Sequence, residues 1–187
     1  MTEIVRPLPE SYWVIPGRLL AGEYPGRYQE ELTRRRLDAL IETGFDTFID
    51  LTGFNENVPY DGLLQEEAKI YDVQVRHFSF PIADFGLPTP KQMNSILDAI
   101  EAGLRVGGKI YLHCRGGIGR TGTTVGCYLV RQGMSGAEAL DQLEAWWRGV
   151  PKSRDYPRSP ETTQQKDFVL AWAEYDTGSG RSMPPCN

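Results

Sequence analysis

The chain has few cysteines, few histidines and no long apolar run. Its three cysteines, at positions 114, 127 and 186, show no disulfide-framework spacing, and two histidines occur in 187 residues. A disulfide-stapled secreted fold is therefore not expected, and we predict a reducing, cytoplasmic environment. No segment approaches the roughly 20 apolar residues that span a bilayer, and no N-terminal stretch has the apolar length of a signal peptide. We expect a soluble protein without a membrane partner.

The chain also has no excess of positive charge. The net charge is −5 and the isoelectric point is about 5.1. Nucleic acid is therefore not expected as the main partner, because binding to a phosphate backbone needs a broad basic surface. The Gly-Lys-Ser/Thr pattern of triphosphate-binding loops does not occur. No metal is expected, because Cys114 is the only soft ligand near His113 and His77 is the only other histidine.

Apolar residues recur at strand and helix spacings along most of the chain, and strands alternate with helices as in an α/β domain. We predict one domain over residues 1–176, with a central, mostly parallel mixed β-sheet flanked by helices on both faces. A flexible tail rich in Gly, Ser and Pro is predicted at 177–187. The predicted strands are 12–15, 18–21, 47–51, 73–80 and 109–113, and the predicted helices are 28–43, 61–71, 90–104, 119–132, 136–146 and 159–175.

Four helix starts carry recognisable sequence patterns. Asp61 can cap the helix that follows it. Thr89-Pro90-Lys91-Gln92 is a capping-box pattern with proline at the first helical position, and Ser135 with Glu138 is a second capping box. Ser159-Pro160-Glu161 predicts the start of the last helix.

Residues 113–122, HCRGGIGRTG, lie between two apolar segments. The glycines permit backbone angles that side chains forbid, so amides can converge on an anion at a helix start. Cys114 beside these amides is expected to ionise readily and to act as a nucleophile. Arg120 offers a planar fork for two phosphate oxygens, and the Thr121 hydroxyl can donate to the thiolate. The residues expected to contact the phosphate are Arg115, Gly116, Gly117, Ile118, Gly119 and Arg120.

This segment matches the pattern HCxxGxxR(S/T) and resembles the cysteine-dependent protein tyrosine phosphatases, most of all their dual-specificity branch. The resemblance extends from Tyr12 to about Trp172. It implies the fold of that family for the domain. It also implies that His113 supports the loop by hydrogen bonding and does not act as a base.

The same resemblance implies a general acid and a guide for water. The loop Phe80–Pro88 resembles the general-acid loop of the family, and its Asp84 stands 30 residues before Cys114. This loop lacks the Trp-Pro-Asp form of the classical tyrosine-specific enzymes. Near the C-terminus, the resemblance implies a glutamine that orients water. Its spacing to Phe168 favours Gln165, and Gln164 is the second candidate. The alternative is a solvated helix start with an ordinary apolar face.

The function implied is hydrolysis of phosphomonoesters on tyrosine, and on serine or threonine, through a phosphocysteine. No cofactor is required, and the partner is a phosphorylated protein or a small phosphorylated substrate. Alternatives are an inositol phosphate, a phosphoinositide, an RNA 5′-phosphate, or a phospho-ligand binding module without turnover. A sulfurtransferase would also use a loop cysteine, but it does not explain Asp84 or the Arg120-Thr121 pair. Arg115, with no lysine in the loop, favours a monophosphate.

Two further groups of polar residues stay unassigned. Asn55, Glu56 and Asn57 follow a predicted strand and are candidates to approach the substrate, without a ranking among them. A basic cluster could rim a site for an acidic substrate, although we interpret it as an ordinary charged surface. Its members are Arg148, Lys152, Arg154 and Arg158.

Overall fold

A computed structural model describes residues 4–177 as an α/β domain of five strands and six α-helices. The predicted tail at 177–187 lies outside these residues except for Thr177, and the predicted boundary at 176 stays a prediction. The strands are β1 (Ser11–Ile15), β2 (Leu19–Gly22), β3 (Thr47–Asp50), β4 (Arg76–Ser79) and β5 (Ile110–His113). The helices are α1 (Glu30–Glu42), α2 (Asp61–Ile70), α3 (Pro90–Arg105), α4 (Gly119–Arg131), α5 (Gly136–Trp147) and α6 (Thr163–Leu170), with 3₁₀ turns at Pro151–Arg154 and Trp172–Glu174.

The strands form one sheet in the order β1-β2-β5-β3-β4. Only the β1–β2 hairpin is antiparallel, and the other three pairs are parallel. The predicted mostly parallel mixed sheet is therefore confirmed. His113 pairs with Gly22 on one side and with Asp50 on the other, so the carboxyl ends of three strands meet where the motif begins.

Helices cover both faces of the sheet, as predicted. Along β5, Ile110 and Leu112 belong to one apolar cluster and Tyr111 to the other, because successive side chains point to opposite faces. The larger cluster packs α3, α4, α5 and α6 on one face, and the smaller one packs α1 and α2 on the other. Within residues 4–177, no helix has both the length and the apolar composition needed to cross a bilayer.

Several local predictions need correction. Asp61 is the first residue of α2 and does not cap it, since Tyr60 holds the cap position without a side-chain bond. The helical spacing of apolar residues over 28–43 groups Leu32 with Leu37, Leu40 and Ile41, but Leu32 is 41% exposed. The strand predicted at 73–80 is only Arg76–Ser79, because β4 is an edge strand with exposed residues.

Helix caps decide how the segments around the motif begin. Ser135 and Glu138 form the predicted reciprocal capping box. Thr89 accepts the Gln92 N–H at 3.2 Å, but the Gln92 side chain donates to the Pro81 carbonyl at 3.0 Å and leaves that box half formed. The last helix starts at 163 and not at 159, because Thr162 and Gln165 make its capping box.

Candidate active site

The cysteine loop, residues 114–120, connects β5 to α4. Cys114 follows directly after β5 and is 2% exposed, so its thiol lies at the floor of the site. Gly117 has φ of +75°, and a Cβ there would lie 2.5 Å from the Gly22 carbonyl carbon. Only glycine fits this backbone angle and this close approach to the end of β2.

Three carbonyl groups of this loop are held by donors outside it. In a trans peptide the C=O and the following N–H point in opposite directions. The N–H groups of Gly116, Gly117 and Gly119 follow these carbonyls and therefore point away from the three donors, which leaves them available to an anion. The contacts are Tyr24 N to Arg115 O at 3.1 Å, Lys152 Nζ to Gly116 O at 3.2 Å and Ser159 Oγ to Ile118 O at 2.8 Å.

Arg120 is buried, and Glu56 fixes its guanidinium group. Glu56 is one of the three loop residues that the sequence analysis did not rank. Its two terminal nitrogens each donate to one oxygen of Glu56 at 2.6 Å, and Nη1 also donates to the Ile82 carbonyl at 3.0 Å. Burial raises the pKa of Glu56, but hydrogen bonds from Arg120 and from the Gly53 amide outweigh this and hold the pKa below its ordinary value. Burial likewise lowers the pKa of Arg120, yet the bond to Glu56 raises it overall. The result is a rigid, charged fork.

Asp84 reaches the same guanidinium from the loop after β4. Its Oδ1 accepts from Arg120 Nη2 at 2.8 Å and from the Phe85 amide at 3.1 Å. Phe85 has φ of +58°, which is rare for an aromatic residue, and the Gly86 N–H closes the turn on the Ala83 carbonyl at 2.8 Å. This turn brings the predicted acid to the predicted phosphate ligand.

Gln165 connects three elements of the site. Its Oε1 accepts the amides of Glu161 and Thr162 at 3.1 Å, and its Nε2 donates to the Gly86 carbonyl at 3.2 Å. The carboxamide packs on Gly119, where a Cβ would lie 2.9 Å from it. Gln164 is exposed, so Gln165 is the member of the pair that reaches the start of α4 and the Asp84 loop.

His113 is completely buried beneath the loop. Its Nε2 lies 2.6 Å from the Tyr60 hydroxyl and its Nδ1 lies 3.9 Å from Asp50 Oδ1. Burial lowers the pKa of His113 to about 4, so the imidazole is neutral at ordinary pH. The neighbouring Thr121 hydroxyl is buried without a hydrogen-bond partner among residues 4–177, and the predicted donation to Cys114 is not formed in this structure. The same residues contain no group of His, Cys, Asp and Glu side chains placed to hold a metal ion.

The cysteine loop and the segments around it line a cavity of about 310 Å³, whose lining does not include His113, Thr121 or Gln165. Cys114 and Arg120 contribute to its lining, and two carboxyl groups, Asp84 and Glu161, line it as well. Burial and the nearby charge of Asp84 raise the pKa of Glu161. The aromatic rings at its edge, Phe85 and Tyr156, are 57% and 51% exposed. The cavity thus brings together a cysteine thiol, a glycine-rich loop at a helix start, two carboxyl groups and two aromatic rings.

This geometry and a family comparison lead to the same class of protein. A family model described as "Swiss Army Knife protein, DSP-PTPase phosphatase domain" matches residues 9–169. The chain therefore belongs to the cysteine-based protein tyrosine phosphatase superfamily, in its dual-specificity branch. The family and fold implied by residues 113–122 are confirmed.

Individual proteins show how far the similarity extends. Mouse "Dual specificity protein phosphatase CDC14B" is 30% identical over 148 residues, which cover 73% of this chain and 26% of the mouse protein. "Putative tyrosine phosphatase 067L" of Invertebrate iridescent virus 3 is 44% identical over 172 residues, covering 86% of this chain and 64% of the viral protein. The crystal structure of Tk-PTP in its active form is 29% identical with a TM-score of 0.61, covering 87% of this chain and 94% of that one. The chain spans less than two thirds of the length of either curated relative.

Proposed function

We propose that this domain removes phosphate from phosphotyrosine, and from phosphoserine or phosphothreonine, in proteins through a phosphocysteine intermediate. The observation that supports the proposal is the meeting of Cys114, Arg120 and Asp84 in one cavity. These are the nucleophile, the phosphate ligand and the proton donor that the reaction needs. A binding module without turnover would have no use for all three.

In the first step, the Cys114 thiolate attacks phosphorus and the bond from phosphorus to the leaving oxygen breaks. The loop amides and Arg120 stabilise the equatorial oxygens. Asp84 transfers its proton to the leaving oxygen, which would otherwise depart as a poor leaving group. Entering phosphate competes with Asp84 for Arg120. The carboxylate that it displaces takes up a proton from solvent and then donates that proton to the leaving oxygen.

In the second step, water attacks the phosphocysteine and the sulfur–phosphorus bond breaks. The Asp84 carboxylate now accepts a proton from water, and inorganic phosphate leaves. We assign Gln165 to this step, because its carboxamide packs against Gly119 at the start of α4. Its Nε2 would exchange the Gly86 carbonyl for the attacking water. Thr121, with its unpaired hydroxyl, is assigned to stabilising the sulfur as it leaves.

The cavity favours a monophosphate ester with an apolar attachment. Phe85 and Tyr156 offer apolar surface at the edge, which suits an aryl group. Lys152 also lines the cavity, but its ammonium group is paired with Glu23 at 2.6 Å and is not free for a second phosphate. Because the nucleophile is a thiol, we propose a reducing, cytoplasmic setting.

The decisive experiment replaces the nucleophile. Cys114→Ser should bind inorganic phosphate and lose turnover of p-nitrophenyl phosphate under reducing conditions. A Cys114→Ser variant that still hydrolyses this substrate would end the proposal. Turnover of thiosulfate by the wild-type protein without phosphatase activity would assign it to the sulfurtransferases.

A substrate panel separates protein from non-protein substrates. The structure of PTPMT1 in complex with PI(5)P has a TM-score of 0.66 at 15% identity, a similarity that shows the fold alone. Phosphotyrosine peptide, phosphothreonine peptide, phosphoinositide vesicles, an inositol phosphate and RNA 5′-triphosphate should be compared by kcat/KM. We expect the phosphotyrosine peptide to rank first. A tenfold preference for a lipid, inositol or RNA substrate would overturn the proposed substrate class.

A further inference from the structure

The peptide between Gly116 and Gly117 is part of the anion cradle and joins two residues without side chains. Neither residue carries a side chain that restricts its backbone, so the sequence itself does not choose the direction of this peptide. In the structure its carbonyl is bonded to Lys152 Nζ at 3.2 Å. The amide of Gly117, on the opposite edge of the same trans peptide, then points away from Lys152.

Lys152 is held in place by contacts that are independent of the loop. Its ammonium group pairs with Glu23 Oε2 at 2.6 Å, and its backbone N–H donates to Glu10 Oε2 at 3.0 Å. The Glu23 side chain is 10% exposed, and both Arg27 and Arg36 also pair with it. Lys152 therefore reaches the loop as a fixed donor in a partly buried ion-pair network, with a side chain that is 21% exposed.

We propose that Lys152 is a positioning residue that keeps the Gly116–Gly117 peptide turned so that the Gly117 amide serves the phosphate. This inference rests on the proposed phosphatase function. The donors to the other two loop carbonyls, of Arg115 and Ile118, carry no charge. A backbone amide of residue 24 holds one and a serine hydroxyl holds the other, so Lys152 is the member of the set that adds a positive charge.

The test compares three variants at the 3₁₀ turn 151–154. Lys152→Met removes the donor and the charge while keeping a similar side-chain length. Lys152→Arg keeps both and should restore activity. Arg154→Met is the matched control, since Arg154 is exposed on the same turn. Loss of one oxyanion donor costs about 10²–10³-fold in kcat. If the freed peptide keeps the productive orientation about a tenth of the time, Lys152→Met should lose about tenfold in kcat on p-nitrophenyl phosphate.

The second readout is the amide itself. In wild-type protein with ¹⁵N-labelled glycine, tungstate should shift the amide signals of Gly116, Gly117 and Gly119. In Lys152→Met the Gly117 response should shrink while the Gly119 response persists. A general loss of structure would weaken both signals together, so this comparison separates positioning from unfolding.

Three results would overturn the inference. The first is that Lys152→Met keeps the wild-type kcat and the wild-type shift of the Gly117 amide signal on addition of tungstate. The second is an equal loss in Arg154→Met. The third is a change confined to KM for an acidic phosphopeptide, which would make Lys152 a substrate contact. A wild-type protein that neither binds tungstate nor hydrolyses p-nitrophenyl phosphate would instead refute the proposed function.

Discussion

The buried imidazole of His113 should make the stability of the fold depend on pH. Its pKa is lowered by burial from 6.5 to about 4 in the folded state. Between pH 4 and pH 6.5, His113 is protonated in the unfolded chain and neutral in the folded protein. The free energy of unfolding must therefore fall as pH falls through 6.5 toward 4, and the contribution of His113 is fully present only above 6.5.

The size of the effect follows from this shift. Where only the unfolded state is protonated, the slope is about 1.4 kcal/mol per pH unit. Integrated from pH 7 to pH 5, the contribution of His113 to stability falls by about 2 kcal/mol. Because the imidazole is completely buried, solvent screening does not reduce this figure.

Urea unfolding at pH 7 and at pH 5 measures this difference. Wild-type protein should lose about 2 kcal/mol more than His113→Gln, which has no titrating group at this position. NMR of the imidazole in His77→Gln, whose remaining histidine is His113, gives a direct check that does not require the His113 variant to fold. An imidazole that titrates between pH 6 and 7 there, or equal pH dependence in wild type and His113→Gln, would refute the reasoning.

Three further substitutions test the site. Glu56→Gln removes the charge that fixes buried Arg120 and should cost about 3 kcal/mol in urea unfolding; a loss below 0.5 kcal/mol would mean that the pair does not hold the arginine. Asp84→Asn should lower kcat about 10²–10⁴-fold on alkyl phosphates and much less on p-nitrophenyl phosphate; an equal loss on both would place the acid elsewhere. Gln165→Leu should slow the second step and produce a burst of p-nitrophenol, with Gln164→Leu as the unaffected control; slower turnover without a burst would assign Gln165 to the first step.

Features set by local sterics were predictable from the sequence. The strand, glycine loop and helix start around residues 113–122 follow from apolar spacing and from glycine at a position where a Cβ does not fit. The Ser135 capping box involves atoms three residues apart, so it forms from the chain's own local geometry. The capping box agrees with the structure because its hydrogen bonds join atoms within four consecutive residues.

Features set by distant contacts were not predictable. Glu56 lies in a stretch with two asparagines of similar polarity, and only the packing of β3 beside β5 brings it to Arg120. The start of α6 was misplaced because Ser159, which has the residue type of a helix cap, donates its hydroxyl to the Ile118 carbonyl. The cap then falls to Thr162, three residues later. In both cases a contact with a residue distant in sequence decides the role of the side chain, namely Arg120 for Glu56 and Ile118 for Ser159.

The two carboxylates bonded to Arg120 differ in exposure and in the number of its nitrogens that they bind. The Glu56 side chain is 13% exposed and binds both terminal nitrogens, whereas the Asp84 side chain is 41% exposed and binds one. We therefore expect a phosphate dianion that binds the guanidinium to displace Asp84 more easily than Glu56. Asp84 lies on the turn beside the cavity, where the proposed mechanism needs a proton donor. In that mechanism the displaced carboxylate takes up a proton before it acts as the acid, and Glu56 keeps Arg120 oriented.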